Sequence, residues 1–157
     1  MSALRLFDAA FLDRLAAEAA AAPRRRKNFN LHAAADYPCQ RFFNALSADT
    51  YVQPHRHADP AKDETLVLLR GKLGAVIFDE AGQVVVAAVL LPGQTADVPH
   101  GTFHTWLALE DGTIFFEAKA GPYVPLAPEE KAAFAPTEGD PRAPEYPAWL
   151  KSLCTVR

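Results

Sequence analysis

Short apolar runs separated by turn residues fill the middle of the chain. Eight runs of strand length lie between residues 28 and 120: NFNLH, QRFFNAL, TYVQPHRH, ETLVLLRG, LGAVIFD, VVVAAVLL, TFHTWLAL and TIFFEAKA. Compact turn signals such as DEAGQ, LPGQ and EDGT separate several of them. This pattern predicts an all-β-dominated fold, a single antiparallel barrel or jelly roll.

Both ends of the chain follow other patterns. Residues 8–22 are rich in alanine, with apolar residues at helical spacing, a possible N-cap at Asp8 and a stop at Pro23. Beyond residue 121 the chain is rich in proline, and we expect short helices near 127–134 and 144–153. The sequence therefore predicts one domain over 1–157, with an N-terminal helical extension (1–27), a β-barrel (28–121) and a C-terminal wrap (122–157).

Composition narrows the class of protein. Half of the 157 residues are apolar and 22% are charged, which is typical of one ordered globular domain. The net charge of −3 provides no overall attraction to nucleic acid or an anionic membrane. Cys39 and Cys154 fit neither a redox pair nor a thiolate metal site, and two buried free thiols are favoured over one disulfide. With no export signal in its first residues and no cysteine framework, the protein is expected in the cytoplasm.

A group of histidines and a glutamate has the chemistry of a metal site. On a strand, His55 and His57 would project to the same side, because side chains alternate between faces. Glu64 opens the next predicted strand, and His104 lies on a later one. Three imidazoles and one carboxylate suit several first-row divalent ions, so iron, manganese, nickel and zinc all remain open.

The spacing of these residues resembles the two motifs of the cupin superfamily. The positions that match the motifs are His55, His57, Glu64 and Gly71, followed by Gly93, Pro99, Gly101 and His104. Three positions depart from them: Asp49 stands where a glycine is expected, six residues separate His57 from Glu64, and Ala108 replaces an asparagine. Asp63 is the nearest rival ligand, but the six-residue spacing from Glu64 to Gly71 favours Glu64.

Flanking segments resemble a narrower group across nearly the whole chain. RRRKNFNLH, CQRFFNAL, TYVQPHRH and GPYVPLAPEEKAAFAPTEG are similar to the WbuC family of cupin-fold metalloproteins. Members of that family are associated with bacterial gene clusters for surface O-antigen polysaccharide. The resemblance implies a cupin barrel with a bound metal, and a homodimer, since cupins commonly pair through their sheets.

Candidate substrate-binding residues follow the N-terminal helix. Guanidinium groups bind phosphate or carboxylate in pairs of hydrogen bonds, and amides suit sugar hydroxyls. A sugar phosphate or nucleotide sugar would bind to both kinds of group. The alternative is that the basic run after the helix is a solvent-exposed helix end that binds no ligand. Tyr51 and Gln53 share the predicted face of the histidine pair, although Tyr51 can equally fill barrel volume. The candidate set is Arg24, Arg26, Asn28, Asn30, His32, Tyr51 and Gln53.

Two classes of function fit these residues. One is a metal-dependent enzyme acting on a small, carbohydrate-derived anion, either an isomerase or epimerase or an iron-dependent dioxygenase. The other is a non-catalytic protein that binds or senses a sugar, which a closed four-ligand zinc site would favour. Water bound at the ion distinguishes the two classes.

Overall fold

The computed structural model describes residues 4–154. The outermost residues of the predicted extension and wrap, 1–3 and 155–157, lie outside this part. A 3₁₀ helix, Pro128–Glu130, lies in the C-terminal segment. The longer elements, in chain order, are α1 (Ala9–Ala21), β1 (Arg26–Asn30), β2 (Cys39–Leu46), β3 (Glu64–Arg70), β4 (Leu73–Phe78), β5 (Val84–Leu90), β6 (Thr95–Val98), β7 (Phe103–Ala108), β8 (Thr113–Ala120) and α2 (Glu145–Leu153).

The strands form two antiparallel sheets. One has five strands in the order β1-β2-β8-β3-β6, and the other has three in the order β5-β4-β7. Alternation along β3 shows how the sheets enclose a core, since Leu66 and Leu68 are buried and Thr65 is exposed. Leu73 of β4 and Trp106 of β7 belong to the same buried cluster from the other sheet.

Helix α1 covers the outer face of the five-stranded sheet. Asp8 caps it by accepting a hydrogen bond from the Phe11 backbone nitrogen at 2.9 Å, so the predicted helix and its cap are confirmed. Phe11 packs edge-on against Phe29 of β1 and Phe43 of β2, at centroid distances of 5.0 and 5.2 Å. Because Phe29 faces the helix, its neighbours on β1 present their side chains to the opposite, inner face.

One predicted strand is wrong and one observed strand was missed. The run TYVQPHRH, residues 50–57, forms only isolated bridges from His55 to His104 and to Lys131. Pro54 in the middle of this run has no backbone N–H to donate to a ladder. Conversely, Thr95–Val98 pairs with β3 although its sequence, TADV, has few of the apolar residues that mark a strand.

The C-terminal segment contains two short helices, as predicted, at Pro128–Glu130 and Glu145–Leu153. Trp149 of the second helix is 47% exposed. Both cysteines are free, as predicted, but Cys39 is exposed rather than buried because it begins β2. No helix within residues 4–154 is long and apolar enough to span a membrane.

Candidate metal centre

Four side chains converge at one end of the space between the sheets. His55 and His57 come from the irregular segment before β3, Glu64 is the first residue of β3, and His104 lies on β7. Each offers one ligand atom, and these atoms all lie within 4.8 Å of one another. His55 is partly buried and the other three are buried. The structure thus brings together all four residues that the sequence motifs single out.

Two of the histidines are oriented by backbone carbonyls. Nδ1 of His55 lies 3.0 Å from the Gln53 carbonyl, and Nδ1 of His104 lies 2.9 Å from the Thr102 carbonyl. Because a carbonyl only accepts hydrogen bonds, the proton of each neutral ring belongs on Nδ1, and the Nε2 lone pair is free to bind an ion. Burial, and then the nearby His104, lower the pKa of His55 to about 3. This ring is therefore neutral near pH 7 and suited to bind a metal.

The buried Nε2 of His104 has no hydrogen-bond partner. It lies 3.7 Å from Oε1 of Glu64, beyond hydrogen-bond distance, and the side chain is 1% exposed. A buried acceptor without a partner costs free energy unless another group satisfies it. A metal ion held by the cluster would satisfy this lone pair, so the residues present fit a divalent ion.

Glu64 supplies the negative charge of the cluster. Its Oε2 lies 3.0 Å from Nε2 of His57, and its Oε1 accepts a hydrogen bond from Nε1 of Trp106 at 2.9 Å. Burial by itself would raise the pKa of Glu64, but the charge of Lys119 and contacts with the histidines outweigh it and hold this pKa well below its usual value. The carboxylate is therefore ionised and can neutralise part of the charge of an ion.

Sequence reasoning missed two charged residues on β8 beside the cluster. Nζ of Lys119 lies 3.1 Å from Oε2 of Glu64 and 2.8 Å from Oε1 of Glu117. Asn44 of β2 donates a hydrogen bond to Oε2 of Glu117 at 2.8 Å. Burial and the charge of Glu64 raise the pKa of Glu117 to about 8. The available signal was strand alternation, since Glu117 and Lys119 share a face with the core residue Phe115.

A family model described as a domain of unknown function, DUF6016, matches residues 7–90. The chain belongs to the DUF6016 family. No curated protein matches this DUF6016 chain.

Solved structures that are similar to this DUF6016 chain share little sequence identity with it. KdgF from Halomonas sp. is 18% identical with a TM-score of 0.50, over 66% of this chain and 84% of that one. A cupin superfamily protein from Desulfitobacterium hafniense is 14% identical with a TM-score of 0.48, over 60% and 76%. A variant of Bacillus subtilis oxalate decarboxylase is 20% identical with a TM-score of 0.49, over 61% of this chain but 24% of that one. The predicted fold, a single cupin domain, is confirmed.

Two cavities of the DUF6016 chain adjoin each other, and one of them reaches the candidate metal centre. The smaller, about 190 Å³ and here called the histidine cavity, is lined by His55, His57, Lys62 and residues near Tyr123. The larger, about 450 Å³ and here called the β1–β2 cavity, is lined by residues of β1 and β2 and of the segment between them. Three residues, Gln40, Lys119 and Tyr123, line both cavities. The predicted substrate residues in the β1–β2 cavity are Arg24, Arg26, Asn28, Asn30 and His32.

Tyr51 and Gln53, by contrast, point toward the C-terminal segment. The hydroxyl of Tyr51 donates a hydrogen bond to the Pro136 carbonyl at 2.7 Å, and burial raises its pKa. Tyr51 lines neither the histidine cavity nor the β1–β2 cavity. Gln53 lines a third cavity, of about 460 Å³, together with His55. The irregular course of residues 51–57 accounts for this divergence, because without a strand the side chains do not alternate.

Other predicted substrate residues are partly occupied by protein contacts. Asn28 donates a hydrogen bond to Asn30 at 2.7 Å, and Nδ1 of His32 accepts one from the Arg41 backbone nitrogen at 3.1 Å. Arg24 lies 2.8 Å from Glu138, and Arg26 contacts the same carboxylate. Two guanidinium groups thus share one carboxylate, which leaves excess positive charge at the cavity.

The ion pairs at Glu138 predict a pH-dependent stability. Burial would raise the pKa of Glu138, but Arg24 and Arg26 outweigh it and lower the pKa below 4.5. A lowered folded-state pKa contributes stability that is present above the unfolded pKa and lost as pH falls. Glu138→Gln should therefore cost about 1 kcal/mol at pH 7, and this difference should shrink between pH 5 and pH 3.

Urea unfolding of both proteins at several pH values measures this difference. Glu129→Gln is the matched control, because Glu129 is exposed on the 3₁₀ helix of the same segment. A constant difference between wild type and Glu138→Gln from pH 7 to pH 3 would contradict the assigned ion pairs.

Proposed function

We propose that this chain is a metal-dependent enzyme that acts on a small, anionic, carbohydrate-derived molecule such as a sugar phosphate or nucleotide sugar. The observation that carries the proposal is that the histidine cavity adjoins a cavity lined by four cationic side chains. These are Arg24, Arg26, Lys27 and Lys119. Among the described residues that line the β1–β2 cavity there is no carboxylate. In a chain with a net charge of −3, this concentration of positive charge favours an anionic ligand.

Amides in the same cavity support a ligand that also carries hydroxyl groups. Asn28, Asn30, Gln40 and Asn44 all line the β1–β2 cavity. An amide offers both donors and an acceptor, which matches a hydroxyl that both donates and accepts. Phe42 provides an apolar surface within the cavity, against which the C–H face of a sugar ring would pack. The combination of cations, amides and one aromatic face suits the binding of a charged sugar.

The proposed ligands of the ion are His55, His57, Glu64 and His104. A bound ion would polarise a carbonyl or activate a water molecule, which are the two roles that turnover of such a substrate requires. The carbonyls of Gln53 and Thr102 fix the orientation of two of the rings, and the N–H of Trp106 fixes Glu64. Isomerisation, epimerisation and iron-dependent oxygenation are all compatible with this arrangement.

The biological setting forms part of the same proposal. Resemblance of the flanking segments to the WbuC family supports a role in bacterial surface polysaccharide metabolism. An anionic sugar derivative as substrate would agree with the positive charge of the β1–β2 cavity. We also propose a homodimer, because cupins commonly pair through their sheets, and a cytoplasmic location, as expected from the sequence.

A thermal-shift screen tests the proposed function. The protein is loaded separately with iron, manganese, nickel or zinc and titrated with sugar phosphates and nucleotide sugars. We expect at least one compound to raise the melting temperature of the metal-loaded protein and to have less effect after chelation. Product analysis of that mixture then distinguishes an enzyme from a protein that only binds or senses the sugar.

Arg26 provides the matched variant for this screen. Arg26→Ala should weaken binding of the stabilising compound roughly tenfold while metal content stays unchanged. The control, Arg142→Ala, removes an exposed arginine that pairs with Asp140 and lines neither the histidine cavity nor the β1–β2 cavity. Equal stabilisation of the chelated and loaded proteins, or equal binding by both variants, would contradict the proposed site.

A further inference from the structure

We propose that Lys119 is an anion-binding residue of the metal centre, positioned to hold an anionic group of the substrate next to the ion. This inference rests on the proposed function and assigns a role to a residue outside the cupin motifs. Lys119 lies on β8, directly opposite Glu64 in the β3–β8 register. It belongs to the linings of both the histidine cavity and the β1–β2 cavity. A molecule that enters from the β1–β2 cavity therefore passes this ammonium group before it reaches the histidines.

The contacts of Lys119 place its charge at the cluster itself. Nζ lies 3.1 Å from Oε2 of Glu64, 3.3 Å from Nε2 of His57 and 2.8 Å from Oε1 of Glu117. It also lies 5.5 Å from the ring centroid of Phe42, which favours a cation at this point. The side chain of Lys119 is 18% exposed, and it borders both the histidine cavity and the β1–β2 cavity.

Two of the three atoms close to Nζ of Lys119 are atoms that the proposed ion would bind. An ion at the cluster uses the lone pairs of His57 Nε2 and of Glu64, and it weakens both as hydrogen-bond acceptors. An ammonium group has three N–H donors, so Lys119 would keep Glu117 and have donors free for another acceptor. A divalent ion and an ammonium close together in a buried site also leave excess positive charge. A carboxylate, phosphate or enolate oxygen of the substrate satisfies both the donors and the charge.

Cobalt-loaded protein allows this role to be measured without knowledge of the natural substrate. Acetate serves as a minimal carboxylate probe, and its binding is followed through the visible absorption of Co²⁺. We expect saturable binding to wild type and roughly ten- to hundredfold weaker binding to Lys119→Met. Lys119→Arg keeps a cation and should recover part of the affinity. Lys72→Met is the control, since it removes the same charge from a lysine paired with Glu110 away from both cavities.

The outcomes separate this inference from the proposed function. If wild type binds neither cobalt nor any other divalent ion, the proposed function and this inference both fail. If wild type and Lys119→Met bind cobalt and acetate equally well, the inference is overturned while the metal site stands. If Lys119→Met does not fold, Lys119→Gln, which can still donate to Glu117, takes its place, and unchanged acetate affinity in that variant overturns the inference.

Discussion

Replacement of His104 by alanine should abolish stoichiometric metal binding by this protein. Its Nε2 is buried, has no hydrogen-bond partner and lies close to the other three candidate ligands. The lone pair of this nitrogen is therefore available to an ion. Loss of a ligand from such a set should lower metal affinity by at least roughly a hundredfold, since even the loss of a group that only hydrogen-bonds to a ligand costs about 10–100-fold. Elemental analysis of purified protein, with a competition titration against a chelator, measures the loss.

His100 supplies the control for this substitution. It lies four residues from His104 but is exposed, and its Nδ1 lies 2.9 Å from Asp63 on the surface. His100→Ala should retain metal at the wild-type level. Full metal occupancy in His104→Ala would show that the ion, if any, is bound elsewhere.

Replacement of Glu64 by glutamine should produce the largest loss of stability among these variants. Glu64 is 2% exposed and compensates the charge of the largely buried Lys119, while it accepts the indole hydrogen of Trp106. Removal of one partner from a buried ion pair costs about 3–5 kcal/mol, because the other charge is left without compensation. Since Lys119 retains Glu117, we expect about 3 kcal/mol for metal-free protein at pH 7.

An exposed pair of the same chemistry gives the comparison for Glu64. Lys72 and Glu110 lie 2.7 Å apart and both are about half exposed, at 48% and 47%. Glu110→Gln should cost less than about 1 kcal/mol, because water screens such pairs. Denaturant unfolding in the presence of a chelator measures both variants. Equal costs for the two substitutions would contradict the burial and charge assigned to Glu64.

The cupin fold could be predicted because its strands carry a local signal. Alternation and turn residues marked seven of the eight observed strands, and the Asp8 cap marked α1. The two errors have different physical origins: pairing in the folded protein overrides local composition in one case, and a proline prevents pairing in the other. Thr95–Val98 forms a strand because it pairs with β3. Residues 51–57 form only isolated bridges, because Pro54 interrupts the ladder.

The metal cluster was predictable from motif spacing, whereas the groups around it were not. His55, His57, Glu64 and His104 lie at spacings that identify them in the sequence. Glu117 and Lys119 match no motif, and their role depends on the β3–β8 register, which only the folded chain shows. The same limit applies to Tyr51, whose predicted direction assumed a strand that the structure lacks.

X-ray absorption at the edge of the bound metal, on protein purified without added metal, tests the central claim most directly. We predict three imidazole nitrogens and one carboxylate oxygen at about 2.0–2.3 Å, with the imidazole signal lost in His104→Ala and kept in His100→Ala. A set of metal ligands that lacks histidine nitrogen, or one that His104→Ala leaves unchanged, would contradict the assignment of this cluster as the metal site.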